Sequence, residues 1–312
     1  MNRDTVVIIG SGLMGSGIAA RSAIAGHRTV LLDQSLSLAE AGREKAIQNI
    51  CQLTENQIIE NIQAKRAENL LCAGCELKKE LAKAFWVIEA VTENLQLKQQ
   101  LFQIVDDLVP PEVIITSNTS GLRITDIARL TKHPERTATT HFWFPAHLVP
   151  LVEVVMSDKT AEDVALKLKE LLLVWDKAPV IVRKDLPGQL ANRILQAIIR
   201  ESINIIQLGL ATPEDVDTAI KMGMGIRLPV WGPLEHIDAV GLDLALSVQK
   251  TVLPGISNAM EPARYLLDLV NQGDLGCKTS QGFYNWKEKN IKDLMDKRDN
   301  FIMQALKIIK KE

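Results

Sequence analysis

The sequence predicts an α/β fold in which a doubly wound sheet domain, over about residues 1–184, is followed by an all-helical domain over about residues 185–312. Two observations carry this prediction. Up to about residue 184, short apolar runs rich in β-branched residues alternate with helical patterns, as they do in a parallel or mixed sheet. Beyond that point nearly all of the chain has helical periodicity, and 312 residues suffice for about two domains.

Seven strands are predicted, most of them short apolar runs. They cover residues 5–9, 28–32, 85–90, 113–117, 137–142, 151–155 and 178–183. A helix over residues 12–25 follows the first strand and ends at Gly26. The long connection between the second and third strands predicts a helix over 36–53 and a second one that starts at the capping-box pattern Thr54-Glu55-Asn56-Gln57. We expect these two helices to project from the sheet as a hairpin, either as a surface decoration or as a flap over a ligand.

The helical half begins at the turn Asp185-Leu186-Pro187-Gly188. Its longest helix is predicted over residues 188–208 and ends at Gly209. Thr212-Pro213-Glu214-Asp215 then combines a cap residue, a proline and two acids, as a helix start does. Further helices are predicted at about residues 233–238, 242–252, 260–272 and 291–310.

Charge and composition exclude several classes of protein. The chain has 36 Lys+Arg against 38 Asp+Glu, and this balance argues against nucleic acid or an anionic membrane as the main partner. The sequence contains no transmembrane segment, and its amino terminus lacks the pattern of a secretory signal. Four cysteines are too few for a disulfide framework. Cys72 and Cys75 have metal or redox spacing, but nothing completes such a site, so we expect reduced cysteines, no metal and a cytoplasmic protein.

The strongest functional signal is the glycine motif Gly10-Ser11-Gly12-Leu13-Met14-Gly15, which joins the first strand to the first helix. Its glycines permit a tight turn, the approach of backbone to a pyrophosphate, and close packing of helix on strand. The helix start offers free N–H groups to phosphates. Asp33, at the end of the second strand, can accept hydrogen bonds from a ribose 2′-hydroxyl and would repel a 2′-phosphate. The motif therefore predicts a Rossmann-type domain that binds NAD; the alternative is a sheet turn without a ligand.

A second signal is a histidine and a carboxylate on neighbouring predicted strands. His141 closes the strand over 137–142, and Glu153 lies within the apolar run 151–155. A carboxylate buried in a strand needs a partner, and a histidine is the obvious one. Such a pair can exchange a proton near neutral pH, so beside an NAD site it indicates an alcohol/ketone dehydrogenase. The alternative is a core histidine satisfied by a structural acid.

These residues stand in motifs that resemble the L-3-hydroxyacyl-CoA dehydrogenase family, in the same order and over residues 5–286. The motifs are Ser117-Asn118-Thr119-Ser120, His141-Phe142, Leu151-Val152-Glu153-Val154, Asp185-x-Pro187-Gly188-x-x-x-Asn192-Arg193, Gly232-Pro233-x-Glu235-x-x-Asp238-x-x-Gly241-Leu242-Asp243 and Gly282-Phe283-Tyr284.

The resemblance implies NAD-dependent oxidation of an L-3-hydroxyacyl-CoA to the 3-ketoacyl-CoA, and the reverse reaction. His141 would be the general base toward the 3-hydroxyl, and Glu153 would orient it. Ser120 would hydrogen-bond the reacting oxygen, and Asn192 would hold the carbonyl side of the substrate.

The resemblance also extends the expected cofactor site and implies a partner. Glu93 and Lys98 match positions that contact NAD in the family, and we expect Ser117 and Asn118 to contribute to the same site. The helical domain would form a homodimer, and its surplus of Leu and Ile fits that expectation.

Departures from the family pattern leave the substrate open. Phe144 stands where the family has asparagine, three residues after the histidine, and His147 and Pro150 replace a proline and a lysine. Pro150, with Arg227 near Gly232-Pro233, resembles the related L-gulonate and L-carnitine dehydrogenases, which act on free hydroxy acids; Arg227 either pairs with a substrate carboxylate or caps a helix.

His147 is interpreted as structural, with a titrating or surface role as the alternatives. A non-catalytic or structural NAD-binding relative is the third hypothesis.

Overall fold

The computed structural model describes residues 4–309 and divides the chain into two compact units. The first comprises the chain up to Leu190 together with the residues from Lys297 on, and the second comprises Ala191–Asp296. The sequence predicts instead one boundary between residues 184 and 185, and the domain limits stay a prediction. Two predictions fall partly outside the described residues. They concern residues 1–3, where no secretory signal is predicted, and residue 310, where the last helix is predicted to end.

The first unit is built on an eight-stranded sheet. Its strands are β1 (Thr5–Ile9), β2 (Arg28–Leu32), β3 (Leu71–Gly74), β4 (Ala84–Glu89), β5 (Ile114–Ser117), β6 (Thr137–Phe142), β7 (Leu151–Val155) and β8 (Ala178–Val182). Their order across the sheet is β3-β2-β1-β4-β5-β6-β7-β8. β6 and β7 run antiparallel, and the other six neighbouring pairs run parallel. All seven predicted strands are confirmed to within a residue at each end.

Helices cover both faces of this sheet. They are α1 (Leu13–Ile24), α2 (Leu36–Glu55), α3 (Asn61–Leu70), α4 (Leu77–Leu81), α5 (Leu95–Leu108), α6 (Ile124–Ile127) and α7 (Glu162–Val174), with 3₁₀ turns at Ala128–Leu130 and Pro134–Arg136. Successive side chains of a strand point to opposite faces. Val6 and Ile8 of β1 accordingly belong to one buried apolar cluster, and Val7 and Ile9 belong to the other. Apolar burial on both faces explains the near-continuous apolar runs of the strands and confirms the doubly wound fold.

The predicted hairpin between the second and third strands is wrong in two respects. α2 continues through Thr54, whose hydroxyl donates to the Ile50 carbonyl at 2.8 Å, so no helix is capped there. Ile50 and Leu53 are fully buried in the same apolar cluster as Ile18 of α1, which makes α2 part of the core. The connection also supplies β3, which pairs with β2 at the sheet edge and was not predicted.

The second unit is helical, as predicted. It contains α8 (Ala191–Gln207), α9 (Pro213–Ala219), a π-helical turn (Ile220–Gly225), α10 (Pro233–Val240), α11 (Leu242–Val252), a 3₁₀ turn (Leu253–Gly255), α12 (Arg264–Gln272) and the start of α13 (Ile291–Ile309). Thr212 caps α9 by accepting from the Asp215 N–H at 3.2 Å, which confirms that predicted helix start. α8 begins three residues later than predicted, after Gly188 with φ +80°. No helix among residues 4–309 is long and apolar enough to span a bilayer.

Candidate functional site

The glycine motif forms a tight turn at the start of α1. Gly10 has φ +103°, and a Cβ there would lie 2.6 Å from the Ala90 carbonyl oxygen. A Cβ on Gly15 would lie 1.9 Å from the Gly10 carbonyl oxygen, so α1 packs against the turn as closely as a glycine permits. Gly12 caps α1 without a side-chain hydrogen bond, and a Cβ there would have no atom within 4 Å. The open backbone at a helix start fits a pyrophosphate.

Asp33 is bonded directly to this turn. Its Oδ2 accepts from the Ser11 N–H at 2.8 Å and from the Ser11 hydroxyl at 2.6 Å, and its Oδ1 accepts from the Gln34 N–H at 2.8 Å. Burial raises the pKa of the Asp33 carboxyl, but these hydrogen bonds outweigh it, and the pKa is lowered overall. The carboxylate is therefore charged and held beside the turn, as an acceptor for a ribose hydroxyl must be. Of the two remaining motif residues, Leu13 is exposed and Met14 packs against the core.

Lys98 of α5 lies between the carboxylates of Glu89, at the end of β4, and Glu93. Its side chain is only 1% exposed, and its Nζ is 2.6 Å from Glu89 Oε1 and 3.3 Å from Glu93 Oε2. Although burial raises the pKa of Glu93, a 2.5 Å hydrogen bond from the Thr119 hydroxyl and the charge of Lys98 lower it overall. The Lys98 ammonium points into the protein, toward these carboxylates. Contacts of Lys98 and of Glu93 with NAD stay predictions. Glu89 was not predicted, although an acid that ends an apolar strand is the signal that singled out Asp33.

Ser117 and Asn118 fix the loop that follows β5. The Ser117 hydroxyl donates to Glu89 Oε2 at 2.5 Å, and the Asn118 N–H donates to the Glu89 carbonyl at 2.7 Å. Asn118 Oδ1 accepts from the Phe142 N–H at 2.8 Å. The loop is thus tied to the strands on either side and holds Ser120 at the carboxyl end of the parallel strands, where ligands of open sheets bind. Direct contact of Ser117 and Asn118 with NAD stays a prediction.

The structure brings His141, Glu153 and Ser120 together. Antiparallel pairing sets His141 directly opposite Glu153, and Nδ1 is 2.8 Å from Glu153 Oε2. On the other side of the ring, Nε2 is 3.1 Å from the Ser120 hydroxyl. An ionised carboxylate can only accept, so in the neutral imidazole Nδ1 carries the proton and Nε2 accepts from Ser120. The basic lone pair of the ring is therefore on Nε2, and it can take a proton when the Ser120 hydroxyl turns to another acceptor.

Glu153 is fully buried, and further donors hold it. The Trp143 indole Nε1–H donates to Oε2 at 3.0 Å, and the Leu190 N–H donates to Oε1 at 2.9 Å. Trp143 was not identified as a functional residue from the sequence. The sequence did contain a signal for it. Trp143 has an indole donor and lies two residues after His141, next to the strand that pairs with the strand of Glu153.

His147 is a buried neutral residue. Its Nε2 is 2.8 Å from Gln52 Oε1, an amide oxygen that only accepts, so the imidazole donates. Burial lowers the pKa of His147 to about 3, and the charges of Lys177, Arg21 and Arg298 contribute. The interpretation of His147 as structural fits this geometry, and its burial contradicts the alternative of a surface residue.

Asn192 lies in the second compact unit, at the second residue of α8. Arg227 lies in the same unit, where its Nε donates to the Gly223 carbonyl at 3.1 Å. The roles of both side chains toward a substrate stay predictions.

Comparison with known proteins identifies the family. Residues 5–186 match the model of the 3-hydroxyacyl-CoA dehydrogenase NAD-binding domain, and residues 188–286 match the model of its C-terminal domain. The chain is 35% identical over 290 residues to a probable 3-hydroxybutyryl-CoA dehydrogenase of Bacillus subtilis, covering 93% of this chain and 99% of the relative. It is 30% identical over 311 residues to 5-formyl-3-hydroxy-2-methylpyridine 4-carboxylate 5-dehydrogenase of Mesorhizobium japonicum, covering 97% of each chain.

Solved structures give the same result. A crystal structure of the 5-formyl-3-hydroxy-2-methylpyridine 4-carboxylic acid 5-dehydrogenase, described as an NAD⁺-dependent dismutase, superposes with a TM-score of 0.89 at 29% identity over 99% of both chains. The (S)-3-hydroxybutyryl-CoA dehydrogenase of Ralstonia eutropha superposes with a TM-score of 0.76 at 31% identity, over 91% of this chain and 99% of the other. The chain therefore belongs to the 3-hydroxyacyl-CoA dehydrogenase family and is an NAD-dependent oxidoreductase.

Proposed function

We propose that this enzyme oxidises the 3-hydroxyl of an L-3-hydroxyacyl-CoA to the ketone, and catalyses the reverse reduction. The observation that carries the proposal is the buried His141–Glu153 pair. Nδ1 of His141 contacts Glu153, and Nε2 lies 3.1 Å from the Ser120 hydroxyl. The family models and the 3-hydroxybutyryl-CoA dehydrogenases among the relatives support a CoA thioester as substrate.

The proposed chemistry removes a proton from the alcohol oxygen and a hydride from the carbon that bears it. His141 Nε2 takes the hydroxyl proton, the electrons of the O–H bond form the C=O bond, and the C–H bond breaks with its electron pair. NAD, when bound, supplies the acceptor for that hydride. Glu153 stabilises the imidazolium that forms, and Ser120 hydrogen-bonds the reacting oxygen. In reduction the imidazolium returns the proton to the oxygen.

The role of His141 is tested by His141→Ala. Turnover is expected to fall about 10²–10⁴-fold, the usual contribution of a general base. NAD affinity should stay near that of the native enzyme because the glycine turn and Asp33 are untouched. His133→Ala is the matched control, since this histidine is exposed and contacts Glu135. Unchanged turnover of His141→Ala would refute the assigned role.

A second candidate, the oxidation of a small free hydroxy acid, is favoured by one feature of this chain. Phe144, which replaces the asparagine of the family pattern, is 44% exposed. The Arg298 guanidinium carbon lies 5.2 Å from the centre of its ring. Arg298 belongs to α13, which extends beyond the family models but is covered by the similarity to the pyridine carboxylate dehydrogenase. Phe144 lies three residues after His141, and a guanidinium beside its ring suits a substrate carboxylate. Arg298 Nη2 also pairs with Asp299 Oδ1 at 2.7 Å, so a substrate carboxylate would share this guanidinium with Asp299.

Substrate assays separate the candidates. The enzyme is given NADH with acetoacetyl-CoA, and NAD with carnitine, gulonate or 3-hydroxybutyrate. Turnover of the thioester supports the first proposal, and turnover of free acids alone supports the second. If the second holds, Arg298→Gln should raise KM for the acid without lowering NAD affinity. Retained NAD binding without turnover would support the remaining alternative, a non-catalytic relative.

We further propose that the helical unit forms a homodimer. Within Ala191–Asp296, all of which the structure describes, Ile203 and Val216 are the only buried apolar residues, and each is 8% exposed. Exposed apolar residues are frequent along the same helices, and an exposed apolar surface of this kind marks a binding site for another protein surface. Sedimentation at micromolar concentration should give twice the mass of 34.6 kDa; a monomer at that concentration would contradict the proposal. Cytoplasmic location and the absence of nucleic-acid partners stay predictions.

A further inference from the structure

Trp143 shares the carboxylate oxygen that orients His141. Its indole Nε1 is 3.0 Å from Glu153 Oε2, and His141 Nδ1 is 2.8 Å from the same atom. The two rings lie close together, with centroids 5.6 Å apart and planes inclined by 53°. The indole N–H is therefore part of the hydrogen-bond network of the catalytic pair, although the proposed mechanism assigns it no role.

We propose that Trp143 is a positioning residue that holds Glu153 in register with His141 and, through Glu153, sets the proton affinity of the imidazole. The inference rests on the proposed function for its effect on turnover. A carboxylate that made one hydrogen bond to His141 could rotate about its terminal torsion, which has broad wells. Here Trp143 fixes Oε2 and the Leu190 N–H fixes Oε1, so Oε2 stays aligned with Nδ1.

The second effect is electrostatic. An N–H donated to a carboxylate stabilises the ionised form and offsets part of its negative charge. Glu153 is fully buried, so water does not screen this effect strongly. With part of its charge offset, Glu153 attracts the imidazolium less than a carboxylate without the indole would. Trp143 thus keeps Glu153 ionised while limiting how strongly His141 holds the proton that it must later return.

Trp143→Phe removes the N–H donor and keeps an aromatic ring beside His141. We expect kcat to fall roughly tenfold, because the charge-assisted hydrogen bond is lost and the carboxylate is less well oriented. In the oxidation direction His141 must be unprotonated. Its stronger attraction to Glu153 should therefore move the acid limb of the kcat/KM profile to higher pH by about 0.5–1 unit. KM for NAD should be unaffected.

Trp86→Phe is the matched control. The Trp86 indole Nε1–H donates to the Thr116 hydroxyl at 3.0 Å and is buried in the same sheet, but it does not bond to Glu153. This variant loses the same kind of donor and is expected to lose stability. The acid limb of its pH profile should coincide with that of the native enzyme. A purely structural role for indole donors in this sheet would give both variants the same unshifted profile, and that result would overturn the proposal.

A readout that needs no substrate separates this inference from the proposed function. In enzyme labelled with ¹⁵N in the histidine rings, the His141 signals are assigned by their absence from His141→Ala and followed through a pH titration. The protonation midpoint should be higher in Trp143→Phe than in the native protein, and identical midpoints would overturn the inference. If the midpoint shifts while His141→Ala remains fully active, Trp143 tunes the pair as inferred and the proposed catalytic role fails instead.

Discussion

His141 and Glu153 are direct partners across the antiparallel strands β6 and β7, and His141 Nδ1 lies 2.8 Å from Glu153 Oε2. Residues opposite each other on such strands point to the same face of the sheet, so backbone pairing itself places the two side chains together. The carboxylate is fully buried and cannot turn to water. The pair is thus oriented before any substrate arrives, which is what efficient proton transfer requires.

The first prediction concerns Glu153→Gln, which keeps the shape of the side chain and removes its charge. Where the carboxylate only accepts, the amide can turn its NH₂ toward Nδ1 and favour the imidazole tautomer that carries its proton on Nε2. That tautomer cannot accept a proton at Nε2, and no carboxylate stabilises the imidazolium. We expect kcat to fall about 10²–10⁴-fold in steady-state assays, with NAD affinity unchanged by calorimetry. Glu135→Gln, at an exposed acid that contacts His133, is the control. Full activity of Glu153→Gln would mean that the charge of Glu153 has no part in turnover.

Both halves of the candidate site could be predicted because their signals are local. The glycine turn follows from the backbone freedom of Gly10 and the close approach at Gly15, and a turn of this kind needs those residues at that spacing. The buried acid of the pair was visible because a carboxylate inside an apolar strand demands a partner. Asn192 remains a prediction because its assignment came from family resemblance alone.

The elements that sequence reasoning missed depend on contacts made after folding. Leu71–Gly74 contains no β-branched residue and becomes a strand because its backbone pairs with β2. The capping-box pattern at Thr54 is overridden because burial of Ile50 and Leu53 favours continuation of α2. The Trp143–Glu153 hydrogen bond depends on side-chain conformations, which strand periodicity does not determine.

The second prediction separates ribose recognition from support of the glycine turn. Asp33→Ala should weaken NAD binding roughly 10- to 100-fold and reduce discrimination against NADP, because a charge-assisted acceptor and a source of repulsion are both lost. Asp33 also accepts from Ser11, so part of the loss could come from the turn. Ser11→Ala removes the hydroxyl donor and leaves the carboxylate, so its NAD:NADP preference should stay native. Titration of both cofactors into both variants checks this, and an unaltered preference in Asp33→Ala would exclude the ribose contact.

The third prediction contrasts two glycines of one motif. A Cβ at Gly12 has no atom within 4 Å, so Gly12→Ala should unfold at the native temperature. It should nevertheless bind NAD roughly tenfold more weakly, because the methyl group occupies space needed by the pyrophosphate.

Gly15→Ala should show the opposite pattern. Its methyl group would lie 1.9 Å from the Gly10 carbonyl oxygen, and backbone must move to relieve the overlap. Thermal unfolding should reveal a loss of about 1–3 kcal/mol or more. Equal stability losses in the two variants would contradict the open space at Gly12, and native NAD affinity in Gly12→Ala would show that the pyrophosphate does not need that space.

The last prediction is a pH dependence of stability that originates at His147. The imidazole has a usual pKa of 6.5 and, because it is buried, a pKa of about 3 in the folded protein. Between these values the unfolded chain binds a proton at this position that the folded chain does not bind. Protonation therefore favours unfolding, and stability must fall as the pH is lowered from 6.5 toward 3. The full slope contributed by one such group is about 1.4 kcal/mol per pH unit.

His147→Gln should flatten this part of the profile, since glutamine does not titrate and its amide can donate to Gln52 Oε1 as the imidazole does. Gln52→Leu is the matched control, because it removes the acceptor and leaves the buried imidazole in place. That variant should be less stable at neutral pH and still lose stability on acidification. Urea unfolding at several pH values between about 3 and 6.5, the window set by the two pKa values, measures both slopes. A slope in His147→Gln as steep as that of the native protein would assign the acid sensitivity to other groups, because His147 would then not differ in protonation between the folded and unfolded chains.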